Sequence, residues 1–143
     1  MAIVKQVFIG MLFILGSAVG LLTFMLQTIT LSDIPVKFTA AEAIVIQILY
    51  FVSTLLLVFG IISIPSRAGN GAAILIFTAV FLFNINVLDR QMWKASYDPA
   101  LVQLQLAPVL HVGAVIAVAL FMFLLHWRGQ PASAEEGESH FAD

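Results

Sequence analysis

The residues best suited to chemistry lie in one short stretch, Asn84-Ile-Asn-Val-Leu-Asp-Arg-Gln-Met-Trp-Lys94. It combines carboxamides, a carboxylate and two cations at the end of a long apolar run. At about 100° per helical residue, the stretch has two polar facets. One facet carries Asn84, and the opposite one carries Asn86, Asp89 and Arg90. Such groups bind polar ligands, exchange protons or form ion pairs at a helix end. Which of these functions applies depends on where the rest of the chain places them.

Composition places these groups in a membrane protein. Of the 143 residues, 62% are hydrophobic and only 10% are charged, with a mean hydropathy of +1.07. A soluble domain of this length needs more charge to cover its surface, so the composition indicates a bilayer. The net charge of -2 shows no basic excess and argues against a nucleic-acid partner. The chain has no cysteine, which excludes disulfides, thiol catalysis and thiolate metal ligation.

Four apolar segments are long enough to cross a bilayer, since about 20 helical residues span a core of roughly 30 Å. We predict spans at about 6–28, 40–64, 71–90 and 106–127. The first segment is longer than the apolar core of a signal peptide and lacks a small-residue cleavage site, so we interpret it as a retained span. The sequence thus predicts an all-α antiparallel up-down bundle of four transmembrane helices over residues 1–128. Residues 129–143, acidic and without apolar periodicity, are predicted to form a disordered, solvated tail.

Helix-boundary signals accompany these spans. Thr39-x-x-Glu42 fits a capping box at the start of the second span. Pro65 ends that span, and the Gly- and Pro-rich turn that follows, through residue 71, should make the second and third spans antiparallel neighbours. Asp98-Pro99 is a helix start, so the fourth helix should begin before its apolar part. Pro108 lies inside this helix and predicts a kink.

The topology collects most of the polar groups at one membrane face, where the first and third spans end and the second and fourth begin. We predict a site at this face, formed near loops 1–2 and 3–4. The candidate binding residues are Asn84, Asn86, Asp89, Arg90, His111, Glu42 and Gln47. The alternative is a layer of helix caps and ion pairs without a ligand. Gln47, Asn84 and His111 each lie roughly one turn or more inside their spans, and buried polar groups in membranes are costly and often functional. On the second span, one side of the helix carries the polar and small residues and should face the bundle: Glu42, Gln47, Tyr50, Ser53, Thr54 and Gly60.

A catalytic function would need the carboxylates of this face. Asp89 with either Asp33 or Asp98 would form a pair that shares a proton as acid and base. The fragment Asn86-Val-Leu-Asp-Arg resembles the Asn-x-x-Asp-Arg stretch of lipoprotein signal peptidases, which are four-span aspartic proteases. That resemblance covers five of 143 residues, Ile85 stands where the family has Gly, and the second signature, Phe-Asn-x-Ala-Asp, is absent. We therefore assign no family; the sequence leaves an enzymatic role open and favours a non-catalytic one.

Metal and haem binding find little support in the sequence. His111 and His126 are about 22 Å apart along one helix, so they cannot share a metal ion. A haem shared between chains, or a metal held by His111 with Glu42 and Asp89, are the alternatives. We predict neither a metal nor a cofactor.

Small residues indicate where helices pack closely. Gly16-x-x-x-Gly20 on the first span and Gly113-x-x-x-Ala117 on the fourth have small-xxx-small spacing. The small face of the first span packs either against another span of the same chain or against a partner. If the protein packs with a membrane partner or with itself, we predict that it does so through this face of the first span.

Two functions are open at this point. The first is a small non-catalytic membrane subunit or accessory protein that packs with a membrane-protein partner or with itself. The alternative is a lipid-, quinone- or small-molecule-handling protein, whose apolar ligand enters between helices and places its head near Asn84 and His111. Lys and Arg divide equally between the two sides, but the short turn at Arg67 favours cytoplasmic termini. The absence of a eukaryotic sorting signal favours a bacterial inner membrane.

Overall fold

The structure, a computed structural model, describes residues 2–32, 39–95 and 99–128. Of residues 2, 30–32, 40, 88–95, 99–103 and 105 it describes the backbone alone. Its helices are α1 (Ala2–Ser32), α2 (Ala40–Ile62), α3 (Arg67–Ala95) and α4 (Pro99–Arg128). All four are long and apolar enough to cross a membrane, which confirms the predicted four-helix membrane bundle. The predicted acidic tail lies outside the described residues.

Two predicted helix starts are confirmed. Thr39 and Glu42 form the capping box: Thr39 Oγ1 accepts from the Glu42 N–H at 3.3 Å, and Glu42 Oε2 accepts from the Thr39 N–H at 2.9 Å. The helix α4 begins at Pro99 and continues through Pro108 to Arg128. Both starts depend on side chains within one turn of the boundary, which is why the local sequence predicts them.

The start of α3 corrects the predicted turn. The helix begins at Arg67, about one turn before Gly71, because Ser66 supplies the capping acceptors. The Gly69 N–H donates to Ser66 Oγ and the Asn70 N–H donates to the Ser66 carbonyl, each at 3.2 Å. The connection from α2 therefore consists of a few residues, and the Gly-rich segment belongs to the first turns of α3.

The order of packing is α1, α2, α4, α3. Within the described residues, the closely packed pairs are α1 with α2, α2 with α4, and α4 with α3. The main core joins Leu57 and Ile61 of α2, Phe77 of α3, and the fully buried Val115 and Ala119 of α4. α2 and α3, predicted to be antiparallel neighbours because of their short connection, both contribute to this core, and α4 packs closely against each of them. The same order leaves α1 and α3 facing each other without close backbone packing.

A second core forms where α2 begins and α4 begins. Ile46 and Tyr50 of α2 pack against Leu104 of α4, which is almost fully buried. Gln27 of α1 donates from Nε2 to the Leu104 carbonyl at 2.9 Å. Leu104, in the second turn of α4, is thus part of the bundle, although it lies between Gln103 and Gln105 in the more polar start of the helix.

Candidate ligand cavity

A cavity of about 500 Å³ lies inside the bundle where α1 faces α3. This volume is within the range of small-molecule binding sites, which are also mostly apolar with a few polar groups. The lining side chains come from all four helices: Gly16, Ser17, Gly20, Leu21 and Phe24 of α1; Tyr50, Ser53 and Leu57 of α2; Phe77, Ala79, Val80, Phe83 and Asn84 of α3; Pro108, His111 and Val112 of α4. The cavity is a consequence of the packing order, because α1 and α3 are the first and last helices of that order and do not pack closely against each other.

The cavity opens toward the side of the bundle, between α1 and α3. Leu21 and Phe83 line it and are 61% and 60% exposed, so they stand at its mouth. Two aromatic pairs bridge α1 and α3 along this opening: Phe24 with Phe83, with ring centroids 6.1 Å apart, and Phe13 with Phe77, at 6.5 Å. In a bilayer the side of the bundle faces lipid, so the opening gives access from the membrane interior.

His111 lies in the wall of the cavity between two hydroxyl side chains. Its Nε2 is 3.3 Å from Ser53 Oγ, and its Nδ1 contacts Thr54 Oγ1. Ser53 Oγ donates its one proton to the Gly16 carbonyl at 2.6 Å, and Thr54 Oγ1 donates its one proton to the Tyr50 carbonyl at 2.8 Å. Both hydroxyl oxygens therefore face the imidazole as acceptors. A neutral imidazole has one N–H, so it donates to one of these two oxygens.

This arrangement is structural rather than catalytic. A Ser–His nucleophile requires the serine to donate its proton to the imidazole, and a carboxylate commonly orients the second nitrogen. Here the hydroxyl protons of Ser53 and Thr54 both go to backbone carbonyls, those of Gly16 and Tyr50, and no carboxylate stands at the imidazole among the described residues. The network instead connects α1, α2 and α4 through Gly16, Ser53 and His111.

A second polar connection extends toward the start of α2. Tyr50 donates from its hydroxyl to Gln27 Oε1 at 2.9 Å, and Gln27 in turn bonds the Leu104 carbonyl. The Tyr50 ring also packs on His111, with ring centroids 5.3 Å apart. Both networks place polar groups beside the cavity, yet most of their hydrogen-bonding capacity is used inside the protein.

Asn84 differs from these residues. Its side chain is 6% exposed, lines the cavity, and makes no hydrogen bond to any residue that the structure describes. The hydroxyl of Ser17, at the opposite side of the mouth, likewise has no partner among the described residues. Among the described residues, Asn70 Oδ1 is the side-chain atom that is fully buried without a partner, so the Asn84 carboxamide atoms reach the cavity space, where they offer two donors and an acceptor. Asn84 is therefore available to a ligand.

The predicted binding residues separate into two groups. Asn84 and His111 line the same cavity. Glu42, Gln47 and Asn86 are exposed and do not line it, and Glu42 is engaged in the capping box. The prediction that Gln47 faces the bundle is wrong. Ile46, its neighbour, is the buried residue of that turn, and consecutive helical residues point about 100° apart.

The charged candidates are not assigned to either group. Asp89 and Arg90 belong to the part of α3 in which the structure describes the backbone but not the side chains. Asp33 and Asp98 lie outside the described residues altogether. The acid–base pair and the ion pairs predicted from these residues thus stay predictions.

The predicted packing residues are used within the chain. A Cβ added at Gly16 would lie 2.8 Å from Leu57, and one added at Gly20 would lie 2.8 Å from Ser53 Oγ, so the small face of α1 packs against α2. A Cβ at Gly113 would contact Phe81 of α3 at 3.6 Å. Ala117, by contrast, is exposed. Of the two uses open to the α1 face, the structure shows the intramolecular one.

The contact between His111 of α4 and Ser53 of α2 was not predicted from the sequence. His111 lies about one and a half turns inside the fourth span, which begins at Leu106, as the sequence predicts. Tyr50 and Ser53 were expected on an inward side of α2, and both are buried. Their bonds to Gln27 and His111 depend on neighbouring helices and have no local sequence signal.

The fold and the cavity define a small four-helix membrane protein with an internal chamber open to the side. A scan against protein-family models matches no family, and searches of curated proteins and of solved structures find no similar chain. Among the described residues, no group of three His, Cys, Asp or Glu side chains is placed to hold a metal ion. The geometry of the cavity therefore carries the functional argument.

Proposed function

We propose that this protein binds a small amphiphilic molecule that enters from the bilayer through the opening between α1 and α3. The observation that carries the proposal is a 500 Å³ cavity whose wall contains Asn84, a buried carboxamide without a partner among the described residues. The apolar remainder of the wall suits a hydrocarbon tail. This is the second of the two functions that the sequence left open.

The direction of the cavity also supports an amphiphile. Asn84 lies one turn from the end of the α3 span, which runs from Arg67 to Val87. Phe77 lies deeper in the bundle, about 10 Å away along the helix. A ligand with its head at Asn84 and its tail toward Phe77 has the orientation of a lipid in the same leaflet.

Packing with a membrane-protein partner or with itself is the other function that the sequence predicts. Its expected contact surface, the small face of α1, is covered by α2, so no described surface favours this function over ligand binding. We keep the bacterial inner membrane, with both termini cytoplasmic, as the proposed location.

A pair of matched variants on α3 tests the ligand-binding proposal. Ala79 and Ala72 are both exposed on the same helix, but only Ala79 lines the cavity. The protein and its variants Ala79→Trp and Ala72→Trp are purified in lipid nanodiscs, and the small molecules retained with each are extracted and quantified by mass spectrometry. An indole at position 79 should fill part of the cavity and lower the retained amount several-fold, whereas Ala72→Trp should match the unmodified protein.

The comparison between the two tryptophan variants decides the outcome. A defined amphiphile enriched over bulk lipid, and lost only in Ala79→Trp, supports binding in the cavity. Equal recovery of the same molecules from all three proteins overturns the proposal, because retention would then reflect the annular lipid around the bundle.

A further inference from the structure

We infer that the ligand of this cavity is an uncharged amphiphile whose head group both donates and accepts hydrogen bonds, namely an alcohol or a primary amide held by Asn84. The inference rests on the proposed function and specifies the chemical class of the ligand. It follows from three properties of the wall: its charge, its remaining hydrogen-bonding capacity, and its shape.

The wall of the cavity favours an uncharged head. None of its described lining residues is Lys, Arg, Asp or Glu. A carboxylate, phosphate or ammonium group entering this wall would give up its hydration without meeting an opposite charge among the described lining residues, and burial of an unpaired ion is strongly unfavourable. The ligand therefore keeps its head group neutral.

Hydrogen-bond accounting selects the type of neutral head. Both nitrogens of His111 lie against the hydroxyls of Ser53 and Thr54, whose protons go to the backbone carbonyls of Gly16 and Tyr50. The proton of the Tyr50 hydroxyl goes to Gln27. What remains at depth is the Asn84 carboxamide, with an acceptor oxygen and a donor nitrogen side by side.

A head group must complement both atoms of this carboxamide to leave neither unpaired. An alcohol donates to Oδ1 and accepts from Nδ2, and a primary amide does the same through two atoms. An ester or a ketone accepts from Nδ2 only and leaves Oδ1 buried without a donor. A plain hydrocarbon leaves both atoms unpaired, which is the most costly arrangement.

The shape of the opening fits an unbranched tail. The two aromatic pairs, Phe24 with Phe83 and Phe13 with Phe77, border the space between α1 and α3. A single alkyl chain lying between them contacts ring edges and Leu21 while its end projects into lipid. The head then sits inside the cavity at Asn84, below the membrane surface.

A series of probes that share one twelve-carbon chain tests the head-group class. The protein in nanodiscs receives dodecanol, dodecanamide, methyl dodecanoate, dodecane or ionised dodecanoate at equal membrane mole fraction, and thermal unfolding is followed by circular dichroism. A ligand that binds the folded state raises the unfolding midpoint by an amount that increases with the logarithm of its affinity. Dodecanol and dodecanamide should bind about tenfold more tightly than methyl dodecanoate, the value of one buried hydrogen bond, and dodecane should bind more weakly than methyl dodecanoate. Dodecanoate should give the smallest shift.

Variants of two asparagines on α3 assign the preference to one side chain. Asn84→Leu should remove the difference in affinity between dodecanol and dodecane. Asn84→Ala should have the same effect, and it serves as the second variant if Asn84→Leu folds poorly. Asn86→Leu is the matched control, because Asn86 is exposed on the outer side of the helix and does not line the cavity. It should keep the full preference.

The results separate the inference from the proposed function. Equal binding of all five probes, or a preference for dodecanol that survives in both Asn84 variants, overturns the head-group class while leaving binding in the cavity intact. Tightest binding of dodecanoate overturns it in favour of an anionic head. Absence of any midpoint shift with all five probes contradicts both the inference and the proposed function.

Discussion

Gly20 shows how closely α1 approaches the polar groups of the other helices. A Cβ at this position would lie 2.8 Å from Ser53 Oγ and 3.3 Å from His111 Nε2. Both contacts are tighter than ordinary van der Waals distances, so any side chain here must displace the Ser53–His111 network. Gly10 on the same helix has nothing within 4 Å of its added Cβ. Gly10 and Gly20 thus have the same helical backbone conformation, but only Gly20 is closely packed.

The first stability prediction uses this pair. Both Gly→Ala changes gain about 1 kcal/mol of helix propensity. Only Gly20→Ala also incurs overpacking against Ser53 and His111, which typically costs about 1–3 kcal/mol. We expect the free energy of unfolding of Gly20→Ala to be lower than that of Gly10→Ala by about 1–3 kcal/mol, measured by reversible denaturation in mixed micelles. Equal values for the two variants would contradict the described position of Ser53 and His111 against α1.

At the scale of the elements, Gln27 links three helices. It belongs to α1, accepts from Tyr50 of α2, and donates to the Leu104 carbonyl of α4. All three residues are buried, so neither end of the carboxamide can exchange its partner for water. This link closes the bundle at the end opposite the α2–α3 turn and fixes the first turns of α4 against α1 and α2.

A double-mutant cycle tests this link. Tyr50→Phe should lower the free energy of unfolding by about 1 kcal/mol, because Gln27 Oε1 loses its donor in a buried position. Gln27→Leu should also be destabilising, but the combined variant should lose less than the sum by about 0.5–1.5 kcal/mol, since the shared bond is already absent. The measurement is chemical denaturation of all four proteins in the same micelles. Strict additivity would show that Tyr50 and Gln27 do not interact.

The helix boundaries divide into those that the sequence predicts and one that it does not. The capping box at Thr39 and the Pro99 start depend on adjacent residues and were predicted correctly. The start of α3 was placed too late, because a Gly-rich segment normally indicates a turn. Capping by Ser66 within the short connection, together with burial of Asn70 in the bundle, keeps that segment helical.

At the scale of the whole molecule, the number and length of the spans are local properties, and hydropathy predicts them. The packing order is not local. It depends on which helix faces complement each other, and no single segment shows that α4 rather than α3 packs closely against α2. The cavity is a product of that order, so its existence could not be read from the sequence.

The contents of the cavity were partly predictable. Asn84 and His111 stand out in the sequence as polar residues within apolar spans, and both line the chamber. The separation of Asn84 from Asn86 also follows from helical geometry, since the two residues point about 200° apart. Gln47 was misplaced because a broad polar side of α2 was treated as one face, whereas the buried line runs through Ile46 and Tyr50.

Photolabelling measures the occupancy of the cavity most directly. A dodecanol analogue with a diazirine on its alkyl chain is incorporated into nanodiscs with the protein, activated by light, and mapped by mass spectrometry of the labelled peptides. Binding in the cavity predicts labelling concentrated in residues 16–24 of α1 and 77–84 of α3, above that of Leu75 and Leu110, which are at least as exposed but do not line it. This excess should disappear in Ala79→Trp. Labelling that follows exposure alone, and that Ala79→Trp leaves unchanged, would contradict the account.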